Sequence, residues 1–175
     1  MNSAFNIRHI ALPALPPVEC VILIGLPAAG KTTFYRERLA GTHAHVSKDL
    51  MRNTRRPQRR QEQLIEEALA AGRSVVVDNT NPTADVRVPT IRLARKHAAR
   101  VIGYFFPTDA TDALRRNRAR TGRDRVPDVA IFAARKKLEP PSLDEGFDQL
   151  FIVRLNEQER RFDVEEWTPL PQPSD

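Results

Sequence analysis

A single cysteine, Cys20, is all that the 175-residue chain contains. That excludes an intramolecular disulfide framework and suits a reducing compartment such as the cytoplasm. No apolar run approaches the roughly 18–20 residues that span a bilayer, and no internal repeat is visible. His and Cys do not cluster at zinc-ligand spacing; His43 and His45 alternate as in a strand and read as packed or solvent-facing. Lysine is scarce, with five residues against 23 arginines, and the formal net charge is +6. Clustered arginine fits recognition of phosphates or nucleic acid, and it also fits a GC-rich genome. What is present, 41% hydrophobic and 29% charged residues, describes a folded single domain. The first 17 residues carry few charges and are broken by Pro13, Pro16 and Pro17, so they read as an extended arm and not as a signal peptide.

Val18 to Gly25 is a short β-branched apolar run, the pattern of a strand buried on both faces. Further strands are expected at His43–Ser47, Ser74–Asp78, Val101–Phe106 and Leu150–Val153. Helical spacing falls at Lys31–Leu39, at Gln61–Ala71 with Gly72 as its stop, and at Ala84–His97, which Pro89 kinks or delays. Asp109–Arg120 is a helix with Asp109 near its start, and another runs from the loop 121–127 to about Leu138. Alternating strands and helices imply a mostly parallel sheet covered on both faces. From Asn156 the chain turns acidic and proline-bearing, with Trp167 as its one large anchor. The expected division is therefore an arm (1–17), a core domain (18–155) and a tail (156–175) that packs on the surface or frays.

Gly25-Leu26-Pro27-Ala28-Ala29-Gly30-Lys31-Thr32 is a glycine, four residues, glycine, lysine and a hydroxyl residue, set between a buried strand and a helix. In that context backbone N–H groups cradle an anion at the positive end of the helix. Lys31 reaches β- and γ-phosphates, and Thr32 offers its hydroxyl to Mg²⁺. No Asn-Lys-x-Asp guanine-reading motif is present, which disfavours a GTPase. Asp78 ends a buried strand, where it either holds the water shell of Mg²⁺ or caps the turn that follows. Ser47-Lys48-Asp49 ends the preceding strand on the ligand-binding edge of such sheets. Asp49 is the best-placed carboxylate to take a proton from an acceptor hydroxyl, with Arg52 three residues on to grip a phosphate; the bland reading makes Asp49 an N-cap and Arg52 a solvated charge. The arginines from Arg115 to Arg125, against Asp124 alone, would repel one another in an empty site and fit a lid that closes on triphosphate.

Taken together, the segments GLPAAGKTT, SKDLMRN, VVVDNTNP, LRRNRARTGRDRVP and the Pro-Ser-Leu-Asp-Glu-Gly-Phe stretch from Pro141 resemble the 5′-hydroxyl polynucleotide kinases over residues 18–154. The resemblance implies an α/β P-loop kinase fold: a five-stranded parallel sheet with a helical lid at about 115–137. It implies ATP and Mg²⁺ as cofactors and a DNA or RNA 5′ end as the acceptor. It assigns catalysis to Lys31, Asp49 and Arg120, with Arg118 or Arg123 as alternatives for the lid arginine. Nucleotide contact falls to Gly25, Ala28, Ala29, Gly30, Lys31, Thr32, Thr33 and Arg116. Acceptor contact falls to Asp49, Arg52 and Asn79, and metal to Thr32 and Asp78. The chain departs from the family in carrying Ala28-Ala29 where these kinases usually have Gly-Ser. It also lacks the Asp-x-Asp-x-Thr motif of the companion phosphatase, so a kinase module without that activity is expected. Related P-loop kinases act on small-molecule and nucleotide-sugar hydroxyls, and a non-catalytic ATP-binding switch is a further alternative; the pairing of Asp49 with an arginine-bearing lid counts against the switch.

Overall fold

The computed structural model describes residues 17–51 and 53–167. Arg52, the side chain of Arg123, the arm 1–16 and the end of the tail, 168–175, lie outside the described residues. Eleven regular elements follow in chain order: β1 (Glu19–Gly25), α1 (Lys31–Arg38), β2 (Ala44–Val46), α2 (Pro57–Ala70), β3 (Val75–Asp78), α3 (Ala84–Lys96), β4 (Arg100–Phe106), α4 (Ala110–Arg118), α5 (Asp128–Lys137), β5 (Gln149–Asn156) and β6 (Arg161–Glu166).

The sheet runs β2-β3-β1-β4-β5-β6. The first five are parallel, and β6 closes one edge antiparallel to β5. Alternation along β1 sends its side chains to two cores. Cys20, Ile22 and Ile24 pack with Ile65, Leu69 and Ile91 beneath α2 and α3. Val21 and Leu23 pack with Phe34 and Ile131 on the opposite face. Burial pushes the Cys20 thiol up to about 12, so it behaves as a small core residue. No helix among the described residues is long and apolar enough to cross a membrane.

The sheet thus has six strands where five were expected, and the sixth lies in what reads as tail. Charge hides it: Arg161 to Glu166 carries a single aromatic. Yet Phe162 is buried, its ring standing edge-on to Phe34 at 5.3 Å and to Phe106 at 6.5 Å. Trp167 lies just beyond, with its N–H on the Leu150 carbonyl at 2.8 Å and its ring 5.7 Å from Phe105. Helix α2 begins at Pro57, ahead of the expected Gln61, since proline suits a first helical position. Helix α3 starts at Ala84 as expected, on its Thr83 cap, so Pro89 lies inside it and does not delay it.

The Glu-Gly-Phe stretch is a structural lock. Arg87 of α3 is wholly buried and grips Glu145 through Nε and Nη2, both at 2.7 Å, while Nη1 donates to the Asn81 carbonyl at 3.0 Å. Gly146 turns the chain at φ +106°, and Phe147 then packs so closely on Gly103 of β4 that a Cβ there would lie 2.9 Å from the ring.

Candidate active site

All parts of the site stand at the carboxyl ends of the parallel strands, around the point where strand order reverses at β1. The loop from Gly25 to Gly30 leaves β1 and opens α1. A Cβ at Gly25 would meet Phe106 at 2.9 Å, so the first glycine is required by close packing. Gly30 takes φ +99° directly before α1, with the Phe162 ring against it. The first turn of α1 has no acidic residue and no side-chain cap, which leaves its backbone donors and positive pole for an anion. Ala28 holds φ 62°, a conformation costing an L-residue about 1–2 kcal/mol; its neighbour Ala29 is buried and Thr33 is exposed.

Lys31 is folded back into the loop, its Nζ donating to the carbonyls of Gly25 (2.8 Å) and Leu26 (2.6 Å). Burial pushes the ammonium down to about 8; Asp78 and Asp49 oppose that shift, and Arg120 adds to it. All three charges therefore bear on Lys31. Thr32 Oγ1 donates to Asp78 Oδ2 at 2.7 Å, and His45 Nε2 meets the same oxygen at 3.0 Å. The His45 ring stacks on Tyr35 with centroids 4.1 Å apart. Burial alone would raise the Asp78 carboxyl, but the His45 and Thr32 hydrogen bonds and the Lys31 charge hold it below the usual carboxylate range. A hydroxyl and one ionised carboxylate side by side fit Mg²⁺, which prefers oxygen ligands and keeps most of its sphere for water and phosphate. No cluster of three or more His, Cys, Asp or Glu occurs among the described residues, so a metal caged wholly by side chains is not what this donor set offers.

Asp49 sits in a 3-10 turn, Lys48–Met51, immediately after β2. The cap is Ser47, whose Oγ accepts the Asp49 N–H at 3.3 Å, so Asp49 is not the N-cap and its carboxylate is exposed at the site edge. Asn79 is engaged at both ends: Oδ1 accepts the Lys48 backbone N–H at 2.9 Å, and Nδ2 donates to Gln61 Oε1 at 2.8 Å. These two bonds use one Oδ1 lone pair and one Nδ2 hydrogen of Asn79, tying it to the turn and to α2 while leaving hydrogen-bonding capacity for the acceptor contact expected of it. Arg52, the expected phosphate grip, lies outside the described residues.

The lid arginines were expected to repel one another in an empty site, but several of them are paired. Arg115 and Arg116 both reach Glu157, in the turn between β5 and β6, at 2.7 and 2.6 Å. Those two hydrogen bonds pull the Glu157 carboxyl down to about 2. Arg118 approaches Asp128 at 3.5 Å, and Arg120 donates to the Asp124 carbonyl at 3.3 Å. Arg115 also meets Asp112 at 3.2 Å; Asp112 and Asp128 flank the stretch closely, and Glu157, 41 residues from Arg116, is the partner that the stretch itself does not reveal. Arg116 Nη1 is buried with no partner among the described residues. It borders a cavity of about 230 Å³ lined by Pro107, Asp109, Asp112 and Leu155. A larger cavity, about 710 Å³, opens at the amino ends of the strands around Val18, Thr42 and Gly72, far from this chemistry.

His45, Gln61 and Glu157 are the site residues that sequence reasoning missed. Only His45 had a legible signal, since it stands two residues before Ser47 on the strand leading to Asp49.

The sequence profile of a family described as an AAA domain matches residues 20–141. A provisionally named bifunctional polynucleotide phosphatase/kinase of Acanthamoeba polyphaga mimivirus is 28% identical over 156 residues, covering 85% of this chain and 36% of that protein. The bifunctional polynucleotide phosphatase/kinase of Schizosaccharomyces pombe is 26% identical over 133 residues, covering 74% of this chain and 32% of that protein. The chain thus spans about a third of the length of the curated relatives it matches. A provisionally named kinase from Chloroflexus aurantiacus shares the fold, with a TM-score of 0.66 at 16% identity over 85% of this chain and 91% of that one.

Proposed function

The chain belongs to the AAA-domain family, and on that premise we propose that it transfers the γ-phosphoryl of ATP to the 5′-hydroxyl of a DNA or RNA end. The observation that carries this reading is the tie between Asp49 and the metal-side carboxylate. The turn bearing Asp49 is hydrogen-bonded to Asn79, the residue after Asp78, so an exposed carboxylate stands beside the phosphate loop on one strand edge. The names of the two polynucleotide phosphatase/kinase relatives support it.

In this reading Asp49 accepts the proton of the acceptor hydroxyl as its oxygen bonds to the γ-phosphorus and the bond to the β-phosphate oxygen breaks. Lys31 leaves the Gly25 and Leu26 carbonyls for phosphates bound at the positive end of α1. Arg120 faces the transferring group from the lid, and Arg116, with an unused guanidinium nitrogen, borders the nucleotide. Thr32 and Asp78 would hold Mg²⁺, which would supply neutralisation of the phosphate charge. Arg55, Arg56 and Arg59, all exposed and without a carboxylate partner among the described residues, follow the Asp49 turn on the side where an acceptor strand would run. Exposed arginines in a row suit the phosphates of a strand.

Incubation with labelled ATP, Mg²⁺ and oligonucleotides ending in a 5′-hydroxyl tests the reading. End labelling that disappears in Asp49→Ala, with ATP affinity retained, is the expected result. Label appearing on sugars or nucleotides while every oligonucleotide stays unlabelled would refute the nucleic-acid acceptor.

A further inference from the structure

Helix α2 presents a core-facing stripe of Ile65, Ala68 and Leu69, and in that stripe's first turn stands Gln61, only 3% exposed. A buried amide costs free energy unless its hydrogen bonds are made. Gln61 therefore marks a place where packing alone was not the requirement. Its Oε1 accepts from Asn79 Nδ2, and Asn79 Oδ1 in turn accepts the backbone N–H of Lys48. The direction of this chain is fixed by its last member. A backbone N–H can only donate, so the Asn79 oxygen must face Lys48, its NH₂ must face α2, and Gln61 must offer an oxygen.

We propose that Gln61 and Asn79 act as one positioning latch that sets where the Asp49 carboxylate stands relative to the phosphate loop. The proposal rests on the reading of Asp49 as the base. The geometry carries it. The turn Lys48–Met51 is held at its far end by the buried Met51 and closed by the Leu50 N–H on the Ser47 carbonyl at 3.1 Å. At Asp49, however, its own support is the long 3.3 Å bond from that residue's N–H to Ser47 Oγ, and β2 before it is only three residues long. The short bonds of the latch bind that turn to the end of β3, beside Asp78, and to α2 behind it. Three elements distant in sequence thus fix one catalytic distance. A shift of about 1 Å in such a distance can cost about 100-fold in rate.

The test uses the whole chain with Gln61→Leu, which keeps side-chain bulk and removes the acceptor, and Gln61→Glu, which keeps an acceptor oxygen at the same reach. Three quantities are read: hydrogen exchange of the Lys48 amide, kcat and KM for ATP and a 5′-hydroxyl oligonucleotide, and the unfolding midpoint. In Gln61→Leu, Lys48 exchange is expected to speed up at least tenfold and kcat to fall about 10- to 100-fold, with KM for ATP unchanged within twofold. Gln61→Glu restores both. Gln61→Leu combined with Asn79→Ala is no worse than the more damaging single change, because the two act as a unit. An unaltered Lys48 amide and kcat in Gln61→Leu, or a loss that tracks only the unfolded fraction, overturns the latch. A wild-type protein that labels no 5′-hydroxyl end overturns the functional reading, and base positioning with it; a labelling wild type with an indifferent Gln61→Leu overturns the latch alone.

Discussion

Thr32 Oγ1 donates to Asp78 Oδ2 at 2.7 Å across 46 residues of sequence, joining the first turn of α1 to the end of β3. This one bond makes the phosphate loop and the acidic strand a single unit. It also occupies the oxygen that His45 approaches from β2.

Replacing Asp78 by Ala would leave the Thr32 hydroxyl and His45 without their common acceptor. The expected loss is about 1–3 kcal/mol of stability, seen as a lower denaturant midpoint, together with loss of Mg²⁺-dependent activity. The pH dependence follows from the sign of the shift. The folded carboxyl lies below its ordinary value of 3.8, so its contribution is complete above that value and fades as pH falls through the folded pKa. Urea unfolding of wild type against Asp78→Ala between pH 2 and 7 should therefore converge at the acid end.

The buried Arg87–Glu145 pair should be intolerant of one-sided change. Arg87→Met leaves the nearly buried Glu145 carboxylate with the Ser142 N–H but without its cation, at a cost of about 3–5 kcal/mol. Adding Glu145→Leu should recover most of that loss, since a buried pair can be exchanged for apolar groups at little net cost. Thermal melts of the two single variants and the double variant measure the coupling.

Glu157 offers a direct report on the lid. Arg115 and Arg116 hold its carboxyl down to about 2, so its contribution to stability is complete above its ordinary 4.5 and lost as pH falls through the folded value. Carbon-detected NMR titration should give that low midpoint in the free protein. Arg115→Ala with Arg116→Ala should move it up towards 4.5. If ATP draws Arg116 away, nucleotide should move it up as well.

The exposed arginines at the start of α2 make a prediction about salt. Each contact with a single-stranded phosphate contributes about 0.7 to the slope of log affinity against log salt. Exchanging Arg55, Arg56 and Arg59 for Gln should lower that slope by about 2 for a long 5′-hydroxyl oligonucleotide. The slope for a dinucleotide acceptor should hardly change. Fluorescence anisotropy across a salt series distinguishes the two cases.

Much of the scaffold was legible because its signals are local. The run Val18–Gly25 could be only a buried strand, and the glycines and Lys31 after it carry the phosphate loop at fixed spacing. Asp49 and Asp78 were legible by rule, since both follow apolar strands and ligands gather at strand ends. Strand β6 was not, because one buried ring among charged residues makes a weak pattern until Phe34 and Phe106 are brought beside it. Gln61 was hidden by helical periodicity, which marks a position as inward without saying that its oxygen has a donor to meet. The bonds from Asn79 to Lys48 and Gln61 were not legible either, because they join a strand end to a turn and a helix 31 and 18 positions away.

The sequence by itself determined the order of the five parallel strands and the helices between them, the glycine-bearing loop after β1 and the identity of the carboxylates at the strand ends. Each of these depends on residues within a few positions of one another, where backbone geometry alone sets the outcome. Only the tertiary structure decided who faces whom. Glu157 neutralises Arg115 and Arg116, Asp78 receives both Thr32 and His45, and Asn79 ties Lys48 to Gln61. Those pairings join residues from 18 to 46 positions apart. Each exists because the parallel sheet returns every strand end to the same edge.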